Sequence, residues 1–119
     1  MFGLFNFWKK RNQKAFRIFS SEQETIASLP LNQAVQVLVE NNSVCIIRTD
    51  KGIHALEDRC PHQGAPIHRG KCKKEGAITC PYHGLNISLT TGKLLEEKIG
   101  EPAKIYSIDL SSKGLVIWV

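Results

Sequence analysis

CPHQG at residues 60–64 and CPYHG at residues 80–84 each offer one thiolate and one imidazole. Thiolate and imidazole suit zinc, copper or iron better than hard cations. The glycine that ends each stretch lets backbone N–H groups approach a bound group, and the proline stiffens the loop. The candidate metal ligands are therefore Cys60, His62, Cys80 and His83.

These ligand types leave three interpretations open. In a [2Fe–2S] cluster each iron already has two bridging sulfides, so two cysteines and two histidines complete the two irons. A structural Cys2His2 zinc site uses the same types, but its pairs typically come as two cysteines together and two histidines together. A Cys60–Cys80 disulfide requires an oxidising compartment, and nothing in the sequence indicates secretion. The mixed composition of each stretch favours the iron–sulfur cluster.

Length and charge restrict the class of protein. A chain of 119 residues suits one domain, and no apolar run approaches the ~20 residues that cross a bilayer. The N-terminus is aromatic first and basic second, which is the reverse of a secretory signal. Residues 1–19 hold five basic and no acidic side chains and supply the whole +5 formal charge. We therefore expect a cytoplasmic protein with no transmembrane segment and no nucleic-acid partner.

Short strand-like runs dominate the remaining chain. Residues 33–40 (QAVQVLVE) show the period-two alternation of a half-buried strand. Ser21 with Glu24 forms a capping-box pattern, which predicts one or two helical turns before Pro30. Many short strands with regular turns indicate an all-β fold, an antiparallel sandwich or barrel. The predicted strands are 16–19, 33–40, 44–49, 53–56, 77–79, 85–89, 105–110 and 115–119.

The sequence divides into a separate N-terminal unit, residues 1–15, and one domain, residues 16–119. Met1, Leu4, Phe5 and Trp8 fall on one face of a helix. The unit is interpreted as a basic, aromatic tail or a short helix. Its alternatives are a frayed end, packing on its own domain, and weak contact with a membrane surface or a partner.

The two stretches, within ALEDRCPHQGAPIHRG and AITCPYHG, and the later TTGKL resemble the cluster-binding boxes of the Rieske [2Fe–2S] family, in its soluble ferredoxin branch. The resemblance covers residues 16–119. It implies a β-sandwich base with an inserted cluster-binding subdomain at about residues 58–84. It also implies that Cys60 and Cys80 bind an inner iron, while His62 and His83 bind an outer iron near solvent.

Departures from the higher-potential Rieske proteins of respiratory complexes refine this interpretation. Those proteins resemble this chain but carry a disulfide cysteine in each box, where this sequence has Ala65 and Tyr82. They also place a serine and a tyrosine where this sequence has Leu85 and Ile87. Hydroxyl hydrogen bonds to sulfur stabilise the reduced cluster, so their absence predicts a low reduction potential.

The chain shows no nucleophile–base arrangement and no phosphate-binding loop, so we expect an electron-transfer protein and not an enzyme. The resemblance implies a one-electron carrier, similar to the ferredoxin component that passes electrons from a flavin reductase to an oxygenase. Two alternatives are a small Rieske-like subunit of an assimilatory NAD(P)H nitrite reductase and a zinc-stabilised interaction domain. Basic side chains near the boxes either solvate a loop or face an acidic partner: Arg59, Arg69, Lys71, Lys73 and Lys74.

Four further residues receive structural interpretations. Cys45, within the strand-like VCII, is expected to be a small buried side chain. Cys72 is expected to be a free thiol in the loop between the boxes. His68 is expected to be an exposed loop histidine, because its spacing matches neither box, and His54 is expected to be structural.

Overall fold

The computed structural model describes residues 13–119, and its elements are mainly short antiparallel strands. Most of the tail predicted at residues 1–15 lies outside the described residues. Along the chain the elements are β1 (Ala15–Phe19), α1 (Glu22–Ser28), β2 (Ala34–Val39), β3 (Asn42–Thr49), β4 (Gly52–Glu57), a 3-10 turn (Ile67–Arg69), β5 (Ala77–Thr79), β6 (Asn86–Ser88), β7 (Ser107–Ser111) and β8 (Gly114–Trp118).

Two three-stranded antiparallel sheets form the base, in the orders β1-β8-β7 and β2-β3-β4. Their facing side chains build one core, with Val44 and Ile46 on one sheet and Leu115 and Ile117 on the other. All four side chains are fully buried. Burying an aliphatic side chain of this size contributes about 1.5–3 kcal/mol, so this core holds the base together.

Strand β3 is buried on both faces, which the period-two pattern alone does not predict. Val44 and Ile46 point into the core between the two base sheets. Cys45 and Ile47 point the other way, into a second core that also contains Cys60 and Cys80. The second core exists because the irregular segment after β4 folds back over the outer face of this sheet.

That segment carries its own two-stranded sheet, β5–β6, in which Ile78 pairs with Ile87. Both side chains are fully buried in the second core. An isolated bridge then joins Ile87 to Leu94. The inserted unit therefore continues beyond residue 84, where the sequence pattern placed its end, because β5 needs β6 as its partner.

The capping prediction at the single α-helix of the described residues is confirmed in part. The Glu24 N–H donates to the Ser21 hydroxyl at 3.0 Å, so Ser21 is the N-cap. The Glu24 carboxylate does not return to the cap residue itself; it accepts from the N–H and the hydroxyl of Ser20 at 2.7 and 2.8 Å. These hydrogen bonds lower the pKa of Glu24.

The predicted all-β sandwich with an insert is confirmed, and each predicted strand is present with its ends shifted by no more than two residues. The 3-10 turn over Ile67–Arg69 has no counterpart in the prediction. Within residues 13–119 no helix is long and apolar enough to cross a membrane. The cytoplasmic location stays a prediction.

Candidate metal centre

The first of the two predicted loops is closed by its own backbone. The Cys60 N–H donates to the Ala65 carbonyl at 2.8 Å, and the Gly64 N–H donates to the Cys60 carbonyl at 2.7 Å. Gly64 has a φ of +74°, in the left-handed region where a side chain is strained. The chain can therefore turn back on itself within five residues and hold Cys60 and His62 on one small loop.

The second loop repeats this pattern. The Cys80 N–H donates to the Leu85 carbonyl at 2.7 Å, and the Gly84 N–H donates to the Cys80 carbonyl at 3.1 Å. Gly84 also has a positive φ, +70°. The same spacing from cysteine to glycine thus produces the same turn twice, although the histidine comes one residue later in the second loop.

The cysteines of the two loops meet inside the protein. Cys60 is fully buried and Cys80 is 2% exposed, and both are free thiols. Burial raises the pKa of the Cys60 thiol, and a hydrogen bond with Cys80 raises it further, while the backbone N–H groups of His62 and Gln63 oppose the rise. A buried thiolate pair requires compensating positive charge, which a bound metal supplies.

The two histidines meet nearer the surface. The ring centroids of His62 and His83 are 4.9 Å apart, and the rings are nearly perpendicular at 88°. His62 is half-buried and His83 is exposed. The Nδ1 atom of His62 is buried and has no hydrogen-bond partner in the described part of the chain, which is unusual for a buried polar atom and indicates a binding partner at that position.

The four predicted ligands therefore come together as two pairs, a buried thiol pair and an outer imidazole pair. Within residues 13–119 no set of three or more His, Cys, Asp or Glu side chains is arranged to hold a single metal ion. Two protein ligands of each kind suit a cluster of two irons, each of which needs two protein ligands. The donor set, its burial and the orphaned His62 nitrogen all fit a [2Fe–2S] cluster.

A third loop packs against the first one. The φ of Gly100 is +73°, and a Cβ built at this residue would lie 2.0 Å from the Pro61 carbonyl oxygen. The Arg59 guanidinium reaches the same loop and donates to the carbonyls of Glu101 and Pro102 at 3.2 and 3.0 Å. Residues 100–102 are thereby held in contact with Arg59 and Pro61, at the start of the first loop.

The prediction for His68 was wrong. Its side chain is only 21% exposed, and its Nδ1 lies 2.6 Å from an oxygen of Asp58, whose side chain is 1% exposed. Asp58 also accepts from the His68 backbone N–H at 2.8 Å and from the Ser43 hydroxyl at 2.9 Å. The pair fastens the 3-10 turn to the base sheet. Nothing in local spacing could reveal it, because Asp58 and His68 meet only through the fold.

The burial of the side chains tests the predictions for three further residues. Cys45 is fully buried as predicted, and burial raises the pKa of its thiol strongly. Cys72 is a free thiol as predicted, but it is half-buried and packs against the second core. Burial lowers the pKa of His54, although a hydrogen bond with the Leu89 backbone opposes this, which agrees with a structural role.

Comparison with known proteins identifies related domains. A family model described as the Rieske [2Fe–2S] domain matches residues 22–107. Apoptosis-inducing factor 3 of Mus musculus is 32% identical over 69 residues, which cover 58% of this chain but only 11% of that protein. The 3-phenylpropionate/cinnamic acid dioxygenase ferredoxin subunit of Photorhabdus laumondii subsp. laumondii is 29% identical over 76 residues, covering 64% of this chain and 72% of the subunit.

The fold is also found among solved structures. A Mycobacterium tuberculosis protein, named provisionally as the small subunit of an NADH-dependent nitrite reductase, superposes with a TM-score of 0.73. The match covers 90% of this chain and 96% of that one at 20% sequence identity. At this identity the likeness establishes the arrangement of strands and insert alone.

Proposed function

We propose that this chain, which belongs to the Rieske [2Fe–2S] domain family, is a one-electron carrier with one [2Fe–2S] cluster and serves as the ferredoxin component of an oxygenase system. In this role it accepts single electrons from a flavin reductase and delivers them to an oxygenase. The dioxygenase ferredoxin subunit of Photorhabdus supports this role, since most of that subunit is covered by the match. We assign the domain to residues 16–119.

We propose that Cys60 and Cys80 hold the inner iron and that His62 and His83 hold the outer iron. The observation that carries this assignment is the buried Nδ1 of His62, for which residues 13–119 supply no hydrogen-bond partner. The cluster supplies a site that gains and loses one electron. The buried Cys60 and Cys80 would shield a bound cluster from water, and the exposed His83 imidazole would connect it to the surface.

The ligand assignment is tested with Cys60→Ser against Cys72→Ser as the matched control, since both variants lose one free thiol. After reconstitution with iron and sulfide, we expect the wild type and Cys72→Ser to be red-brown and to bleach on reduction by dithionite. Cys60→Ser should remain colourless because one iron has lost a ligand. An unchanged spectrum in Cys60→Ser would remove Cys60 from the ligand set.

The partner assignment is tested separately. The cluster-loaded protein is mixed anaerobically with NADH and the flavin reductase of a ring-hydroxylating dioxygenase, and bleaching is followed at substoichiometric reductase. Catalytic bleaching supports the proposal. Reduction only by a nitrite reductase large subunit would favour the small-subunit alternative, which the likeness at 20% identity does not by itself support.

A further inference from the structure

A groove of about 270 Å³ opens beside the second cluster loop. Pro81 and Gly84 line it and flank the exposed His83 in sequence, so the groove reaches the loop that carries this imidazole. None of the described residues that line the groove is acidic. Its remaining polar wall comes from the segment between the two loops and includes three cations: Arg69, Lys71 and Lys73.

The described residues offer these three cations no ion-pair partner. Across residues 13–119, none of them takes part in an ion pair or a side-chain hydrogen bond. The acidic groups of the same region are occupied elsewhere: Glu75 lies 3.1 Å from Lys51, and Asp58 is buried with His68. Side chains of residues 13–119 therefore do not neutralise the positive charge at the groove, and this charge attracts anionic groups from solution.

The backbone beneath the cations is held firmly. A Cβ at Gly70 would lie 1.9 Å from the Thr79 carbonyl oxygen, so the chain passes in direct contact with the end of β5. The Thr79 N–H also donates to the Lys71 carbonyl at 2.8 Å. The backbone that carries the cations is therefore held against the end of β5, which leads into the second loop. Less backbone conformational entropy is then lost when a partner binds.

The second loop also presents an apolar group. Tyr82 is 60% exposed and lies between the groove-lining Pro81 and the exposed His83. An exposed aromatic side chain with a charged rim is the composition typical of protein–protein interfaces. The groove beside Pro61 of the first loop is different, because lysines and glutamates both line it and their charges offset one another.

We propose that the face formed by Arg69, Lys71, Lys73 and Tyr82 docks the acidic surface of a protein redox partner, which brings that partner next to His83. The proposal rests on the proposed electron-carrier function and adds the chemistry of the partner. Carboxylates of the partner pair with the three cations, and its apolar centre covers Tyr82. The charge pairs accelerate encounter and orient the partner, and the complex dissociates readily because exposed ion pairs contribute little affinity.

The test compares two double variants of the cluster-loaded protein, K71E/K73E and K14E/K113E. Each Lys→Glu change removes two charge units, so both variants fall from a formal net charge of +5 to +1. Lys14 and Lys113 are exposed on the base, next to β1 and in the β7–β8 turn. Dithionite-reduced protein, freed of dithionite, is mixed in a stopped-flow instrument with plant plastocyanin, an acidic one-electron acceptor, or with cytochrome c, a basic one.

In each reaction one electron leaves the reduced protein and reduces the copper or the haem iron of the acceptor. At low ionic strength we expect K71E/K73E to lower the rate with plastocyanin by about tenfold and to raise the rate with cytochrome c. The control should change either rate by less than about twofold. The difference should disappear at about 0.5 M salt, where surface charges are screened.

Equal rate losses in the two double variants would mean that net charge alone acts, and would overturn the docking proposal. The docking proposal is also wrong if K71E/K73E reacts with plastocyanin at the wild-type rate but no longer sediments with phosphatidylglycerol vesicles, as the wild type does. The face would then bind a membrane surface. Failure of the wild type to be reduced by dithionite, or to pass electrons to either acceptor, would instead contradict the electron-carrier function.

Discussion

The contact between Gly100 and Pro61 allows a sharp test of how the first cluster loop is held. A Cβ at Gly100 would lie 2.0 Å from the Pro61 carbonyl oxygen, a distance at which something must shift, since real contacts are essentially never under 3.0 Å. Gly100→Ala therefore forces the two loops apart by about 1 Å. Overpacking of this kind costs about 1–3 kcal/mol. The alanine also adopts a left-handed φ, which costs roughly 1–2 kcal/mol more.

Gly76 provides the matched control because its φ is +77°, close to the +73° of Gly100, while a Cβ there meets nothing within 4 Å. Gly76→Ala should lose only the roughly 1–2 kcal/mol of backbone strain. With about 4 °C of melting temperature per kcal/mol, we expect decreases of about 4–8 °C for Gly76→Ala and about 8–20 °C for Gly100→Ala.

Both variants are measured in the cluster-loaded protein, by thermal unfolding in the far-ultraviolet and by loss of visible absorbance in the presence of a chelator. Gly100→Ala should also lose the cluster faster at 25 °C, because the loop that carries Pro61 is displaced. Equal melting temperatures and equal rates of cluster loss in the two variants would refute the reasoning, since the close approach of Gly100 to Pro61 would then affect neither stability nor cluster retention.

Three further outcomes are expected. Protein-film voltammetry should give a potential below about +100 mV, and Leu85→Ser should raise it while Leu85→Ala does not, because only serine adds a hydroxyl donor. Asp58→Ala should lower the free energy of unfolding by about 3 kcal/mol, because it leaves the His68 donors unpaired. Asp109 is exposed, so Asp109→Ala should change the free energy of unfolding little. Urea titration measures both variants. Burial lowers the pKa of His54, so protonation favours the unfolded chain; stability should fall as the pH drops through about 6.5, and less steeply in His54→Gln.

Much of the fold followed from local pattern. The alternation at residues 33–40 predicted β2, and the cap at Ser21 predicted α1, because a strand face and a helix end depend on neighbours within a few residues. The end of the inserted unit did not follow from pattern. Its limit depends on β6 pairing with β5, and a three-residue strand carries too little pattern to reveal its partner.

For the candidate site, the sequence by itself determined the four ligand candidates, since each cysteine–histidine pair lies within one short loop whose glycine closes the turn. Only the tertiary structure decided how those loops are held and which charges beside them are free. Asp58 pairs with His68, Gly100 contacts Pro61, and Arg59 binds the third loop. Lys71, by contrast, has no ion-pair partner among residues 13–119. Such contacts join residues separated by 10 to about 40 positions, so chain packing decides them and local spacing does not.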